Sequence, residues 1–485
     1  MLKNILEFIN HFETNFCFLM AFFVENYLIK YLCLLFMKAV VMPNSELIRS
    51  GRNLRGLLND LKRDVPTAAK ELDISEQELN SYIAGEMIIP LLLINKAVEI
   101  WPLNIRDFFI LEDDTSNGML FFSKEKSESS SRILKRGGLN YYEYKDTAMS
   151  KGSTFRPEWI KELVIVENND PYSKKIFWNK GHFLHQFTYF VGPVNFYYEV
   201  NGKKYCVPMN TGDSMYITPY VPHTFTTRKN EKGEFGFILA VTFGGKIFGD
   251  AQQELSLLGH DLSKDFLIDY SKNPTGNIIK KFREQMNISQ EYLVENSLVS
   301  LKRLIDIESG KVVASKEEMD KIALTLKIPS RELIPLQLED PVIIVLYNNA
   351  RKWQNNSYTF VELSSPIKLP YLKAFEVNIN TNQKSYFIKV ISHQYLYNVS
   401  AENILLYFID TSNTFKEVLL RPNDSVYLKP NIQHGFISEG GKLLVVRIGG
   451  RLTGDTMHEL SLLDQRGFER LCGELTMWYD PSGAT

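Results

Sequence analysis

A mainly β protein with α, a tandem duplication of a small helical domain followed by an all-β barrel, is the fold this sequence predicts. Two echoes and a change of periodicity carry the prediction. Asp213-Ser214-Met215-Tyr216-Ile217-Thr218-Pro219, running to His223-Thr224-Phe225, is echoed by Asp424-Ser425-Val426-Tyr427-Leu428-Lys429-Pro430, running to His434-Gly435-Phe436. Gly244-Gly245 to Leu257-Leu258 is echoed by Gly449-Gly450 to Leu462-Leu463. Apolar spacing changes from helical to strand-like twice along the chain. Each copy can therefore be read against the other: residues kept in both belong to the fold, and polar residues found in one are candidates for function.

In chain order, residues 1–43 form an N-terminal extension. Its apolar runs, Phe16 to Phe23 and Tyr27 to Phe36, are interrupted by Glu25, Asn26 and Lys30, short of the charge-free stretch of about 20 residues that a spanning helix needs. It reads as an extension upstream of Met37 or Met42, with a membrane-anchoring helix as the alternative; no membrane partner is expected. Residues 44–115 carry helical spacing (Leu54, Leu57, Leu58 and Leu61, then Leu72, Leu79 and Tyr82) broken at Val65-Pro66 and Asp73-Ile74-Ser75, and resemble a helix-turn-helix domain. Ser123 to Ser131 reads as a polar linker. Residues 130–262 give the first barrel, with Asn195 to Val200 as a typical strand before an Asn201-Gly202 turn. Residues 270–337 repeat the helix-turn-helix and 340–475 the barrel.

With 485 residues and 44% hydrophobic content the chain can bury several cores. A net charge of -2 gives no footprint for nucleic acid, and the first recognition helix carries Glu76 and Glu78 but no basic residue, so DNA binding is not expected. Four cysteines without a C-x-x-C pair point to a reducing cytoplasm.

Three of the eight histidines, His182, His185 and His223, lie in the first barrel. Aligning His185-Gln186 on His393-Gln394 sets His182 opposite Val390 and Asn179 opposite Phe387, so His182 is the histidine that the second barrel lacks. On a strand, residues i and i+4 share a face. His182 and Gln186 then point one way, His185 the other, and His223, entering from the strand after the Gly212-Asp213 turn, can join them. Two imidazoles and an oxygen donor with open positions suit a non-heme Fe(II) site.

Asn179-Lys180-Gly181-His182, Gly192-Pro193, Gly212-Asp213-Ser214 and Pro222-His223 resemble the hydroxyethylphosphonate dioxygenase and methylphosphonate synthase family, over nearly the whole chain after about residue 45. The resemblance implies two cupin (double-stranded β-helix) barrels, only the first holding iron, alternating with helix-turn-helix units. The dioxygenase branch has a glutamate ligand where this chain has Ile217; the synthase branch has two histidines and a glutamine, matched here by His182, Gln186 and His223. It further implies that Arg136, Tyr144, Asn179 and Lys62 bind the phosphonate, with Lys62 and Tyr144 also catalytic. Asn287 is the counterpart of Lys62 in the second helical unit. A second substrate lysine, expected near Val445, is replaced at best by Arg447. Lys62 supplied to a neighbouring subunit would imply a homo-oligomer. The implied reaction is Fe(II)- and O2-dependent cleavage of 2-hydroxyethylphosphonate to methylphosphonate and carbon dioxide. The alternatives are a sister oxygenase, giving hydroxymethylphosphonate and formate or an epoxide, and a non-catalytic cupin regulator that binds a small effector.

Overall fold

The computed structural model describes residues 44–479 apart from 116, 154, 339, 385, 386, 475 and 476; the extension read over 1–43 lies outside the described residues. The chain forms two units, one from residues up to 112 together with those from 458, the other from 113 to 457.

The first unit holds α1 (Asn44–Asp60), α2 (Val65–Leu72), α3 (Glu76–Ile83) and α4 (Leu91–Ile100). Side chains satisfy the orphan N–H groups that start two of them: Asp64 accepts from Thr67 N and Ser75 from Glu78 N. Leu54, Leu58, Ala68, Leu72, Leu79 and Tyr82 make the core. Gly51 lets α1 cross α3 closely, because a Cβ there would collide with the Ile83 carbonyl oxygen. The C-terminal residues belong here, since Arg49 pairs with Glu474 and Asn59 bonds Trp478 N and Tyr479 O. The last strand of the second barrel ends at Ile448, and the residues from His458 group with the first unit.

In the second unit, β1 (Met119–Phe122) is followed by a short helix, α5 (Lys124–Ser129), capped by Ser123 where sequence polarity suggested a linker. The strands β2 (Arg132–Arg136), β3 (Leu139–Asp146), β4 (Phe155–Glu162), β5 (Ile165–Val166), β6 (His185–Val191), β7 (Val194–Val200), β8 (Lys203–Met209), β9 (Ser214–Ile217), β10 (His223–Arg228) and β11 (Phe237–Phe243) build the first barrel. Then come α6 (Gln252–Ser263) and the helix-turn-helix of α7 (Pro274–Gln285), α8 (Gln290–Ser297), α9 (Leu301–Glu308) and α10 (Lys316–Thr325). Gly276 repeats the close approach of Gly51, here against Ile307. Lys62 and Asn287 both take left-handed φ values, 57° and 54°, which supports their pairing as counterparts. The second barrel uses β12 (Val342–Val345), β13 (Lys352–Asn355), β14 (Tyr358–Glu362), β15 (Leu372–Thr381), β16 (His393–Asn398), β17 (Ile404–Ile409), β18 (Phe415–Leu420), β19 (Ser425–Leu428) and β20 (Gln433–Ile448).

The barrels exchange strands. The first consists of a seven-stranded sheet, β12-β9-β6-β11-β4-β3-β2, facing a four-stranded one, β5-β10-β7-β8; the second takes β1 onto β19. Strand 342–345, assigned by sequence to the second barrel, thus belongs to the first. The retained Asp-Ser pair locks this exchange. Asp213 accepts from Asn210 N in its own turn and from Tyr347 N just after β12. Asp424 accepts from Arg421 N and from Lys124 N just after β1. Ser214 accepts from Ser364 N and Ser425 from Ala148 N. A shared apolar layer of Phe155, Phe187, Tyr216, Tyr395, Tyr427 and Leu444 seals the barrels together.

Candidate metal centre

Gln186 is the second residue of β6, and its cross-strand neighbour on β9 is Ile217. Opposed residues of an antiparallel pair project to one face, so the isoleucine occupies the place from which a carboxylate would reach the same point as the amide. His182 is not on the strand. It lies on the loop before β6, where Gly181 (φ 75°) threads past the backbone of Tyr220 and Tyr220 N donates to His182 O. The strand-face argument therefore does not apply to it; the loop brings it round to the same side. His223 opens β10, one strand later than expected, because β9 ends at Ile217 and the turn through Tyr220 intervenes.

His182 Nε2 and Gln186 Oε1 are 2.9 Å apart, and the His182 and His223 rings meet edge-on with centroids 5.1 Å apart. Backbone carbonyls hold both Nδ1 atoms, Leu184 O at 2.7 Å from His182 and Val221 O at 2.8 Å from His223. A carbonyl can only accept, so Nδ1 carries the proton and Nε2 presents its lone pair. The Gln186 amide is oriented by Nε2 donating to Thr188 Oγ1 at 2.8 Å, which turns Oε1 toward His182. With His182 neutral, two lone-pair atoms thus face each other at 2.9 Å, a contact that a shared metal cation satisfies. Metal–donor bonds of about 2.1 Å at right angles put neighbouring donors about 3 Å apart, so the set fits a divalent metal. Burial holds His223 down at about 3, so its imidazole is neutral, as a metal would require, throughout the physiological range. Among the described residues no three histidine, cysteine or carboxylate side chains cluster in a way that could hold a metal; here the third donor is an amide.

Donors surround the centre. Asn179 Oδ1 accepts from Gly181 N and His223 N, which aims its amide nitrogen at His223 Nε2, 3.2 Å away. Arg136 lies over the Tyr142 ring at 4.8 Å, donates to Phe177 O, and its charge reaches His223. Tyr144 packs edge-on against Tyr142, and burial pushes its phenol well up. Lys62 belongs to the first unit, where its ammonium donates to Asp60 O and lies 5.3 Å from the Trp478 ring centroid. A cavity of about 750 Å³ reaches the centre at His182 and Leu184, with Arg132, Arg156 and Glu158 in its wall.

Sequence reasoning missed Thr224, whose hydroxyl meets Tyr142 Oη at 2.9 Å, Tyr141 Oη at 3.2 Å and Arg136 at 3.5 Å. The copy comparison held the signal, since Thr224 is matched by Gly435. A bulge in β3, invisible in the pattern, puts Tyr141 and Tyr142 together.

The second barrel keeps half of this. Gln394 is again opposite an aliphatic residue, Leu428, and His434 Nδ1 again meets a carbonyl, Ile432 O. Val390 stands where His182 stands, its carbonyl likewise accepting from Asn431 N. The backbone partner of His434 is Ile388, one residue on from the Phe387 matched to Asn179 by alignment. Arg447 donates to Gln394 Oε1, occupying the oxygen that in the first barrel faces His182; it is thus turned into the second barrel. His185 and His393 do one job in both: each meets a tyrosine hydroxyl at 2.7 Å, of Tyr216 and Tyr427.

Over residues 279–333 the chain matches a family model described as Helix-turn-helix. Methylphosphonate synthase of Nitrosopumilus maritimus (strain SCM1) is 44% identical over 450 residues, 91% of this chain and 98% of that protein. Streptomyces albus HEPD, solved with 2-hydroxyethylphosphonate and Fe(II) bound, superposes with a TM-score of 0.84 at 33% identity, over 90% of this chain and 99% of that one. Native PhpD with cadmium atoms shares the fold, with a TM-score of 0.66 at 16% identity over 87% and 99%. On that identity and coverage, this chain belongs to the family of methylphosphonate synthase and 2-hydroxyethylphosphonate dioxygenase.

Proposed function

We propose that this protein uses Fe(II) and O2 to cleave the carbon–carbon bond of 2-hydroxyethylphosphonate, giving methylphosphonate and carbon dioxide. One observation carries the reading: the oxygen donor beside His182 is the amide of Gln186, with Ile217 across the strand pair in place of a carboxylate. The 44% identical relative named methylphosphonate synthase supports the same branch. Fe(II), when bound by His182, Gln186 and His223, supplies the open positions at which substrate and O2 meet.

The chain's own residues do the rest. An amide in place of a carboxylate removes one negative charge, so the centre attracts the nearly dianionic phosphonate more strongly. Arg136, Asn179 and Tyr144 offer charge-assisted hydrogen bonds to its oxygens, and Lys62, in a homo-oligomer, adds a cation from a neighbouring subunit. The carbon–carbon bond breaks, the hydroxyl-bearing carbon leaves as carbon dioxide, the phosphonate-bearing carbon gains hydrogen, and water forms. The substrate supplies all four electrons that O2 takes, so no 2-oxoglutarate is required. A cytoplasmic setting completes the reading.

The test is to load the protein with Fe(II) anaerobically, add 2-hydroxyethylphosphonate and admit air. Phosphorus NMR should find methylphosphonate, with carbon dioxide released. Hydroxymethylphosphonate with formate would assign the chain to the sister branch, and duplex-DNA binding without turnover to a regulator.

A further inference from the structure

Glu162, the last residue of β4, is fully buried, and neither carboxylate oxygen has a hydrogen-bond partner. The fold does not ask for it. Tyr142 pairs with Glu162 as Tyr358 pairs with Ile379, so the same place in the second barrel holds an isoleucine in an apolar core. By the rule that separates scaffold from chemistry in this duplicated chain, an unshared buried acid is a functional residue. Arg136 is equally unshared, because Leu134 opposes Tyr142 as Asn355 opposes Tyr358, and the β2–β3 hairpin runs on past the point where the β13–β14 hairpin turns.

The surroundings say through what it acts. Glu162 projects on the same face as Tyr142, whose ring carries the Arg136 guanidinium at 4.8 Å. Among the described residues, Arg136 is the one cation whose charge is felt at Glu162. The titratable groups facing it from β3 are Tyr141, Tyr142 and Tyr144; Thr227 of β10 and Gly236, just before β11, bond its backbone. An unpaired carboxylate in such a place is strongly disfavoured, so the group is a neutral acid.

We propose that Glu162 is a positioning residue acting through Arg136: as a neutral acid it leaves the guanidinium's charge to a tetrahedral dianion, and on ionising it withdraws that charge. The inference rests on the proposed function for the identity of the dianion, a phosphonate. Because burial raises the ionisation of Glu162 well above the ordinary carboxylate range, the guanidinium's charge is available below that ionisation and withdrawn as pH rises through it. The phosphonate's own ionisation acts in the opposite direction.

Anaerobic, Fe(II)-loaded wild type and Glu162→Gln should be titrated with 2-hydroxyethylphosphonate by calorimetry from neutral to alkaline pH. Once Glu162 titrates, wild-type affinity should fall by roughly tenfold per pH unit relative to Glu162→Gln, whose profile follows the phosphonate's own ionisation alone; superimposable profiles would overturn the inference. Glu162→Ile, copying the second barrel, should fold and give the same profile as Glu162→Gln. Infrared spectroscopy reads the coupling without substrate. A carboxylic-acid band absent from Glu162→Gln should persist to higher pH in Arg136→Gln, since removing the cation disfavours ionisation. A band that does not move refutes the coupling whatever binds. If the band moves but 2-hydroxyethylphosphonate does not bind, the coupling stands and the functional reading fails.

Discussion

Of the three donors proposed to hold the metal, one separates the barrels: His182 in the first is Val390 in the second. The sequence comparison singles it out together with Gln186 and His223, and the structure brings the three side chains together, although the strand-alternation argument fails for His182, since a loop and not β6 carries it. His185 was legible for the same reason, as a residue kept in both copies, and its place explains why. It is stacked between Tyr216 and Phe243, with Nδ1 on the Tyr216 hydroxyl. His185→Ala should cost about 1–3 kcal/mol of stability through a lost buried hydrogen bond, measured by denaturant unfolding, and leave metal binding intact. Loss of metal without loss of stability would reverse the assignments of His185 and Gln186. Thr224 and Glu162 stayed hidden because their importance comes from what the β3 bulge and the barrel wall bring near Arg136.

Among the elements, the β6–β9 pair carries the proposed choice of branch. Because Gln186 and Ile217 are directly opposed, the oxygen donor can be moved across the pair. Gln186→Ala should abolish Fe(II) binding, and Gln186→Ala with Ile217→Glu should restore it, as followed by anaerobic metal titration; failure of the double variant would mean that position 217 does not reach the metal. The turn before β9 has a separate task. Asp213 is buried and its carboxylate takes two backbone N–H groups, one of them just beyond β12. Asp213→Ala should lower stability by about 2–4 kcal/mol, as charge-assisted bonds to buried donors do, with Asp424→Ala costing a similar amount in thermal or denaturant unfolding. The Asp-Ser echo was plain in the sequence. Its meaning was not, because strand exchange joins residues more than a hundred positions apart, beyond the reach of any local pattern.

At the scale of the whole molecule, alternating helical and barrel modules were legible from periodicity, whereas the true ends of the barrels were not. The C-terminal segment from 458 and the two exchanged strands choose partners by tertiary packing alone. The barrels also share an acid weakness. Burial holds His185, His393 and His434 down at about 4 and His223 at about 3, while the unfolded chain protonates them near 6.5. Between those limits the unfolded state binds more protons, so stability is complete above about pH 6.5 and falls toward pH 4 by about 1.4 kcal/mol per pH unit for each histidine. Denaturant unfolding of the metal-free protein across that window should follow this slope, less steeply in His393→Gln. A flat profile would mean these imidazoles are not buried in the neutral form.

The central claim is that the first barrel alone holds one ferrous ion, through His182, Gln186 and His223. Iron content per chain after anaerobic loading and desalting tests it most directly. The account predicts one iron in the wild type and in His434→Ala, and none in Gln186→Ala. Two irons per chain, or an iron lost with His434 and kept without Gln186, would contradict it.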